Sequence, residues 1–433
     1  MKIAIAGTGY VGFVTAVCFA DKGHEVVCVD VDQEKIDKLN REGKPLIYEQ
    51  DLAELMTKNS TRLSYTTDYK AAYAKADAIF IGVGTPERRD GSANLSYVYQ
   101  VAQQIAESVE QDCAVVVKST VPIGTNEKVE KILNENKRPE VNLYVVSNPE
   151  FLAQGTAVRD TLHASRVVIG VEDERAKEIM LRLYANFDAP KIITNRRSAE
   201  MTKYASNDFL ALKISYINEI ANLCEMIGAD INAVTEGMGY DDRIGKRFLQ
   251  AGIGYGGSCF PKDTKALLWL SNFHDHELKT VKAAIEVNEN QKLKLIKKAR
   301  KYYASFAGLT VAVLGLTFKP GTDDLREAAS LLNVPILLED GAKVKVYDPV
   351  GRRSFRRKFG EQVTYCKNVN EALQDADLCF VFTEWPEIKA CQAETFKARM
   401  KQPIIIDGRN CYALEDMKDK GVIYESIGRS TIS

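Results

Sequence analysis

The sequence has no C-x-x-C pair, and its nine cysteines are an odd number. Zinc ribbons and disulfide frameworks need paired spacing, so neither is expected, and free thiols suit a reducing, cytoplasmic setting. Charge of one sign is not in excess either. Lys and Arg number 58 against 59 Asp and Glu, a net charge of −1. Nothing global therefore draws the chain to nucleic acid or to an anionic membrane, and neither is expected as a partner. Long apolar runs are missing as well. The uncharged stretch Ile3 to Ala20 comes nearest, but Gly7, Thr8, Gly9 and Gly12 interrupt it and no A-x-A-like site precedes Asp21 and Lys22. A secretory leader or membrane span is not expected there.

What is present is ordinary globular material, with 45% hydrophobic and 27% charged residues, which excludes disorder, collagen and coiled coil as global descriptions. At roughly 150 residues per domain, 433 residues predict two to three domains. Lys2 to Ala6 reads as a strand, Gly7 to Gly12 as a turn, Phe13 to Lys22 as a helix stopped by Gly23, and Glu25 to Asp30 as a strand ending in a carboxylate. Further strands are predicted at Ala78–Gly82, Ala114–Lys118 and Leu143–Ser147, with helices at Tyr97–Glu110 and Asn126–Asn136 between them. Alternation of this kind predicts a parallel, doubly wound sheet that binds ligands at the carboxyl ends of its strands. Those ends carry Gly84-Thr-Pro86, Ser119-Thr-Val121 and Asn148-Pro-Glu150.

Ser198 to Ile227 contains neither Gly nor Pro, and apolar side chains recur through Met201, Tyr204, Leu212, Ile217, Ile220 and Leu223. The pattern predicts one helix on the order of 40 Å long, suited to bridging lobes or to a subunit interface. The last third repeats the first in outline. Leu309–Gly315, Lys343–Asp348, Asp377–Phe382 and Pro403–Asp407 read as strands, and the second of them again ends in a carboxylate. The expected fold class is α/β: two Rossmann-like doubly wound parallel-sheet lobes joined by a long central helix and a helical middle region. The corresponding boundaries are 1–196, 197–298 and 299–433. The basic run from Arg352 to Lys358 is expected to be a solvated helix face.

Gly7-x-Gly9-x-x-Gly12 follows a strand and opens a helix, and Asp30 ends the next strand. That context is the dinucleotide fingerprint, in which glycines let the backbone approach a pyrophosphate at a helix N-terminus. Asp30 would accept from the adenosine ribose and repel a 2′-phosphate, which points to NAD over NADP.

A second glycine cluster, Gly252-Ile-Gly-Tyr-Gly-Gly-Ser-Cys259-Phe-Pro-Lys-Asp263, forms a loop able to press against a ligand. Pro261 suits a first helical turn, which puts Cys259 at a helix N-terminus near Lys262, where a thiolate is favoured. The other eight cysteines, Cys18, Cys28 and Cys379 especially, read as buried structural thiols. Lys203 and Asn207 share one face of the long helix and have the chemistry to hold an oxyanion, although their spacing alone is that of an exposed polar stripe. His274 and His276 flank Asp275 without making a case for metal, and no metal site is expected.

Taken together, these segments resemble the UDP-glucose/GDP-mannose dehydrogenase family over essentially the whole chain. The resemblance rests on Gly7–Gly12, Lys118-Ser-Thr-Val-Pro122, Asn148-Pro-Glu-Phe-Leu152, Arg243-Ile-Gly245, the Cys259 loop, Phe318–Arg326 and Asp407-Gly-Arg409. It implies a four-electron oxidation of the C6 alcohol of a nucleotide sugar to a carboxylate, with two NAD consumed. UDP-glucose is the implied substrate, and the product would supply surface polysaccharide synthesis. A UDP-N-acetylhexosamine or GDP-mannose substrate would use the same catalytic set. Cys259 would attack the aldehyde, while Lys203 and Asn207 stabilise the oxyanion. Thr120 and Asp263 would position water, and Glu150 would take part in thioester hydrolysis.

The resemblance also implies that NAD contacts Gly7, Gly9, Tyr10, Val11, Gly12, Asp30, Lys35, Thr85, Thr120, Glu150, Lys262 and Arg326. For the sugar nucleotide it implies Glu150, Phe151, Leu152, Ala153, Gln154, Lys203, Asn207, Phe248, Leu249, Gln250, Ala251, Gly252, Tyr255, Gly256, Phe318, Lys319 and Arg409. Arg243 would reach the substrate from a neighbouring subunit, in a homodimer or higher homo-oligomer built through the central helix. One departure stands out: Gln154 occupies a position where many relatives carry glutamate.

Overall fold

The structure, a computed structural model, describes residues 1–433 and contains two compact units, Met1–Ser206 and Asn207–Ser433. The first is built on strands β1 (Lys2–Ala6), β2 (Glu25–Val29), β3 (Leu63–Thr66), β4 (Ala78–Ile81), β5 (Cys113–Val117), β6 (Leu143–Ser147), β7 (Val167–Gly170) and β8 (Lys191–Thr194). They lie side by side in the order β3-β2-β1-β4-β5-β6-β7-β8. Side chains alternate across this sheet, so Ile3 and Ile5 of β1 pack into one apolar layer with Phe13 and Phe19, whereas Ala4 and Ala6 face the other with Val98 and Ile105. Because both faces are covered, the central strands read as unbroken apolar runs.

The two Rossmann-like lobes are as expected, and within the first sheet one neighbouring pair departs from parallel order. β7 joins β6 antiparallel through Ser147 and Gly170, and β8 then runs parallel to β7. An antiparallel neighbour needs no crossover over the sheet face, so the chain returns through a loop and the short helix Ala157–Leu162.

The second unit holds β9 (Thr310–Leu314), β10 (Lys343–Tyr347), β11 (Thr364–Tyr365), β12 (Leu378–Val381), β13 (Ile404–Asp407) and β14 (Ile423–Glu425). All pair in parallel, in the order β11-β10-β9-β12-β13-β14. Before them come the helices Ile231–Gly239, Phe260–Phe273, Lys279–Gln291 and Lys294–Ala299. The boundary between units falls inside the 32-residue helix Arg196–Ile227, about 48 Å long at 1.5 Å per residue. Tyr204 and Ile217 are buried on it as the periodicity predicts, but Met201 and Leu223 are exposed. The helix Arg352–Phe359 buries Phe355 and leaves Arg353, Arg356, Arg357 and Lys358 in solvent. No helix is long and apolar enough to cross a membrane.

Candidate active site

In the first unit the glycine turn sits between the ends of β1 and β4, where the strand order reverses. Gly7 has φ +98°, and a Cβ there would lie 3.0 Å from the carbonyl oxygen of Gly82. A Cβ on Gly12 would lie 2.1 Å from the Gly7 oxygen, so only glycine lets helix and turn approach so closely. Gly9, in contrast, has open space in front of it. The helix Tyr10–Asp21 that follows has no side-chain cap and no acid in its first turn, which leaves its N–H groups for an anion. Val11 lies half-buried in that first turn.

Asp30, just beyond β2, is half-buried and accepts from the Thr8 amide at 2.9 Å, the Thr8 hydroxyl at 2.5 Å and the Asp32 amide at 3.1 Å. Desolvation works against its charge, yet these donors and Lys35, 3.5 Å away, hold the carboxyl below its ordinary value. The open pyrophosphate turn and an ionised acid at the ribose position fit NAD. Across the switch point, Thr85 Oγ1 donates to the Thr120 carbonyl at 2.9 Å, tying together the loops after β4 and β5.

The loop after β6 presents Glu150. Its Oε2 accepts from the Leu152 amide at 2.7 Å, and Oε1 accepts from Lys203 Nζ at 2.9 Å. Lys203 is 3% exposed and Glu150 6%, so the exposed stripe suggested by spacing is not what forms. Glu200, one turn before Lys203, explains the placement: its carboxylate accepts from the amides of Gly124 and Asn126 and from Asn126 Nδ2, which fixes that helix against the loop after β5. Phe151 lies under the Arg166 guanidinium at 3.8 Å and near Lys203 Nζ at 5.5 Å. Leu152 packs half-buried against the apolar layer. Around Gln154, the Ala153 amide donates to Asp160, and the Gly155 and Ala157 amides donate to Glu49 at 2.7 and 2.8 Å. Gly155 also donates to the Tyr10 hydroxyl at 3.0 Å. Asp160, in the helix that follows, and the distant Glu49 thus hold the backbone around Gln154.

Beneath this site lies a group that sequence reasoning missed. Lys118 is buried and donates to Asn148 Oδ1 at 3.1 Å and to the Tyr184 hydroxyl at 3.4 Å. Burial pushes its ammonium down to about 8, with the Glu150 charge opposing and the Lys203 charge assisting. Only the motif Lys118-Ser-Thr marked it in the sequence.

In the second unit Cys259 is the residue before the helix Phe260–Phe273, with Pro261 in the first turn as expected. Its thiol is partly exposed, and the Ser258 hydroxyl lies 3.7 Å from Sγ. Lys262 directs its Nζ to Asp263 Oδ1 at 2.5 Å, while Asn207 Nδ2 donates to Asp263 Oδ2 at 2.7 Å. Asp263 is completely buried, and Asn207 is buried with it rather than exposed. Arg326 is bonded to Asp324, which chiefly raises its guanidinium pKa, with a smaller contribution from Cys259.

The glycine loop is clamped from both sides. Asn288 accepts from the Tyr255 amide at 2.7 Å and donates to the Tyr255 carbonyl at 3.1 Å, and Gln291 donates to the Gly252 carbonyl at 2.7 Å. A Cβ on Gly256 would lie 2.4 Å from the Glu327 oxygen, and Gly257, at φ +82°, would meet the Phe318 ring at 2.8 Å. Arg409 joins three segments, donating to the carbonyls of Phe382, Gly254 and Phe318 at 2.9, 3.3 and 2.9 Å. Leu249 and Ala251 are buried behind the loop, Gln250 is exposed, and Phe248 and Lys319 are half-buried. Arg243 is 89% exposed and its guanidinium is bonded to Asp241.

Seven of the remaining cysteines are buried, and burial pushes the Cys18 and Cys28 thiols up to about 12. Cys411 departs from the expectation in being only half-buried, although burial pushes its thiol upward too. His274 and His276 are exposed, and no three His, Cys, Asp or Glu side chains gather as a metal site.

Comparison with known proteins accords with this geometry. Profiles of the UDP-glucose/GDP-mannose dehydrogenase family match three times: its NAD binding domain at residues 1–188, its central domain at 197–290 and its UDP binding domain at 312–414. UDP-glucose 6-dehydrogenase YwqF of Bacillus subtilis is 46% identical, with 100% of this chain and 98% of the relative covered. UDP-glucose 6-dehydrogenase TuaD of the same organism is 47% identical, with 100% and 94% covered. A UDP-glucose dehydrogenase structure from Pyrobaculum islandicum superposes with a TM-score of 0.92 at 39% identity, covering 99% of this chain and 98% of that one. The chain belongs to the UDP-glucose/GDP-mannose dehydrogenase family and is an NAD-dependent oxidoreductase of nucleotide sugars.

Proposed function

We propose that this enzyme acts on UDP-glucose, oxidising its C6 alcohol to the carboxylate of UDP-glucuronate. The observation that carries the choice of sugar is full-length identity of 46–47% to UDP-glucose 6-dehydrogenases. A UDP-D-ManNAc dehydrogenase structure from Pyrococcus horikoshii shares the fold at a TM-score of 0.86 but only 27% identity. Parts 1–196, 197–298 and 299–433 would respectively bind cofactor, carry the catalytic loop and bind the UDP moiety.

NAD, when bound against Gly7–Gly12, Asp30, Lys35, Thr85 and Arg326, supplies the hydride acceptor. The chain's own groups do the rest. Thr120 and Asp263 orient a water that takes the alcohol proton. Cys259 Sγ then adds to the aldehyde carbon to give a thiohemiacetal, and Lys203 and Asn207 stabilise its oxyanion by charge and hydrogen bond. Oxidation of that adduct leaves a thioester. Water attacks its carbonyl with Glu150 assisting, so the C–S bond breaks and the thiol and the carboxylate are released. A simple alcohol oxidation would need no such nucleophile.

Self-association completes the reading. Phe209, Tyr216 and Leu223 recur every seven residues on the long helix and are 61%, 50% and 50% exposed. A stripe of large apolar groups at that spacing suits a second copy of the same helix. Arg243 would then contribute to the neighbouring copy's substrate site. A cytoplasmic location fits the free thiols. The deciding experiment is NADH formation with UDP-glucose, UDP-N-acetylhexosamines and GDP-mannose compared side by side. The highest kcat/KM with either rival sugar overturns the assignment.

A further inference from the structure

Asp208 follows Asn207 on the long helix, and the mechanism above does not use it. It is 5% exposed, and neither carboxyl oxygen accepts a hydrogen bond from any protein group. The charged and titratable groups facing it are Asp263 and Lys262 on the helix Phe260–Phe273 and Tyr255 on the glycine loop. An ionised carboxylate without a donor is strongly disfavoured in a buried site, and a second anion beside Asp263 adds repulsion. Asn207 Nδ2 and Lys262 Nζ each hold one oxygen of Asp263, and neither reaches an oxygen of Asp208.

We propose that Asp208 is a positioning residue that stays protonated, so that the Asp208–Asp263 pair carries a single negative charge and Asp263 keeps both of its donors. The proposal rests on the dehydrogenase reading above, in which Asp263 assists proton transfer. Burial, with the Asp263 charge second and Lys262 opposing, pushes the Asp208 carboxyl up to about 8. When Asp208 loses its proton, the new anion competes for Asn207 and Lys262, Asp263 loses its alignment, and turnover declines on the alkaline side. Asn at this position keeps the shape of the neutral acid but has no proton to lose.

The test is the pH profile of kcat for the full-length wild type, Asp208→Asn and Asp208→Glu. The Asn-to-wild-type ratio of kcat should climb about tenfold per pH unit above the wild type's alkaline ionisation. KM for UDP-glucose should move little, and Glu should restore the alkaline decline. A ratio that stays flat with pH overturns the proposal. So does an Asn variant with kcat abolished at every pH, which would make the ionised carboxylate itself the working form.

A second readout needs no turnover, and so separates failure of this inference from failure of the substrate assignment. The folded-state value of Asp208 lies above its unfolded value of 3.8, so the wild type binds the extra proton only when folded. Its stability should therefore fall relative to Asp208→Asn as pH rises from that value to about 8, then run parallel above it. Melting curves that keep a constant separation across that window show an Asp208 ionised throughout, and they overturn the proposal whatever the enzyme's substrate.

Discussion

Lys203 Nζ meets Glu150 Oε1 at 2.9 Å, joining the long helix to the loop after β6 in a pair almost wholly withdrawn from water. Removing one member leaves the other buried without its ion-pair partner, and such losses typically cost about 3–5 kcal/mol. Lys203→Ala should therefore lose both turnover and stability in urea. Adding Glu150→Gln removes the stranded charge and should recover most of the stability without recovering turnover. A Lys203→Ala protein as stable as the wild type would show that the pair is not desolvated as the structure has it.

We expect Asp30 to govern cofactor choice. Its carboxylate is held ionised by Thr8 and Lys35, and a 2′-phosphate would meet it with like charge. We expect kcat/KM for NADP at least about a hundredfold below that for NAD, which is about 2.7 kcal/mol. Asp30→Ala frees Lys35 to meet a 2′-phosphate and should narrow the gap by about tenfold or more. Equal use of both cofactors by the wild type would sink this role for Asp30.

The thioester route fixes a stoichiometry: two NADH per UDP-glucose, with UDP-glucuronate as product. One NADH with release of aldehyde would mean that the sulfur does not take part.

Cys259→Ala should bind NAD and UDP-glucose nearly as well as the wild type, while turnover to UDP-glucuronate collapses by several kcal/mol at about 1.4 kcal/mol per tenfold. Alanine at buried Cys18 or Cys28 should instead cost roughly 1 kcal/mol of stability and spare the reaction. Calorimetric binding and steady-state assays on the three variants check both halves. Near wild-type turnover by Cys259→Ala would falsify the nucleophile assignment.

Glutamate at Phe209, Tyr216 and Leu223 together should abolish the proposed self-association, because each copy would carry three charges into an apolar interface. Sedimentation of wild type and triple variant reads the outcome directly. A wild type that sediments as a monomer would refute the proposed interface.

The parts of this protein that were legible in the sequence are those determined by neighbours along the chain. The turn Gly7–Gly12 could be read because left-handed φ at Gly7 and the close approach at Gly12 are demands that only glycine meets. Cys259 could be placed at a helix start because Pro261 is acceptable there and disfavoured deeper in a helix. The central strands could be read because burial on both faces makes them continuously apolar. By contrast β3, β7 and β8 were missed: each is four residues long, and β3 and β8 carry mixed polarity.

Tertiary structure alone decided what each polar group does. Asp30 and Asp348 stand at equivalent places, each just beyond the second strand of a similar sheet. Yet Asp348 is wholly buried, accepting from the amides of Leu316 and Gly351 and from the Trp385 indole, whereas Asp30 keeps part of its surface open. Nothing local distinguishes them, because the donors that consume Asp348 include one 37 residues away. Lys203 and Asn207 likewise have the spacing of a solvated stripe, and only the carboxylates of Glu150 and Asp263, supplied by distant segments, make them buried and paired. Periodicity and backbone geometry are short-range properties and so were set by the sequence itself. Burial, ionisation and hydrogen-bond partnership depend on which remote segments arrive, and those the fold decided.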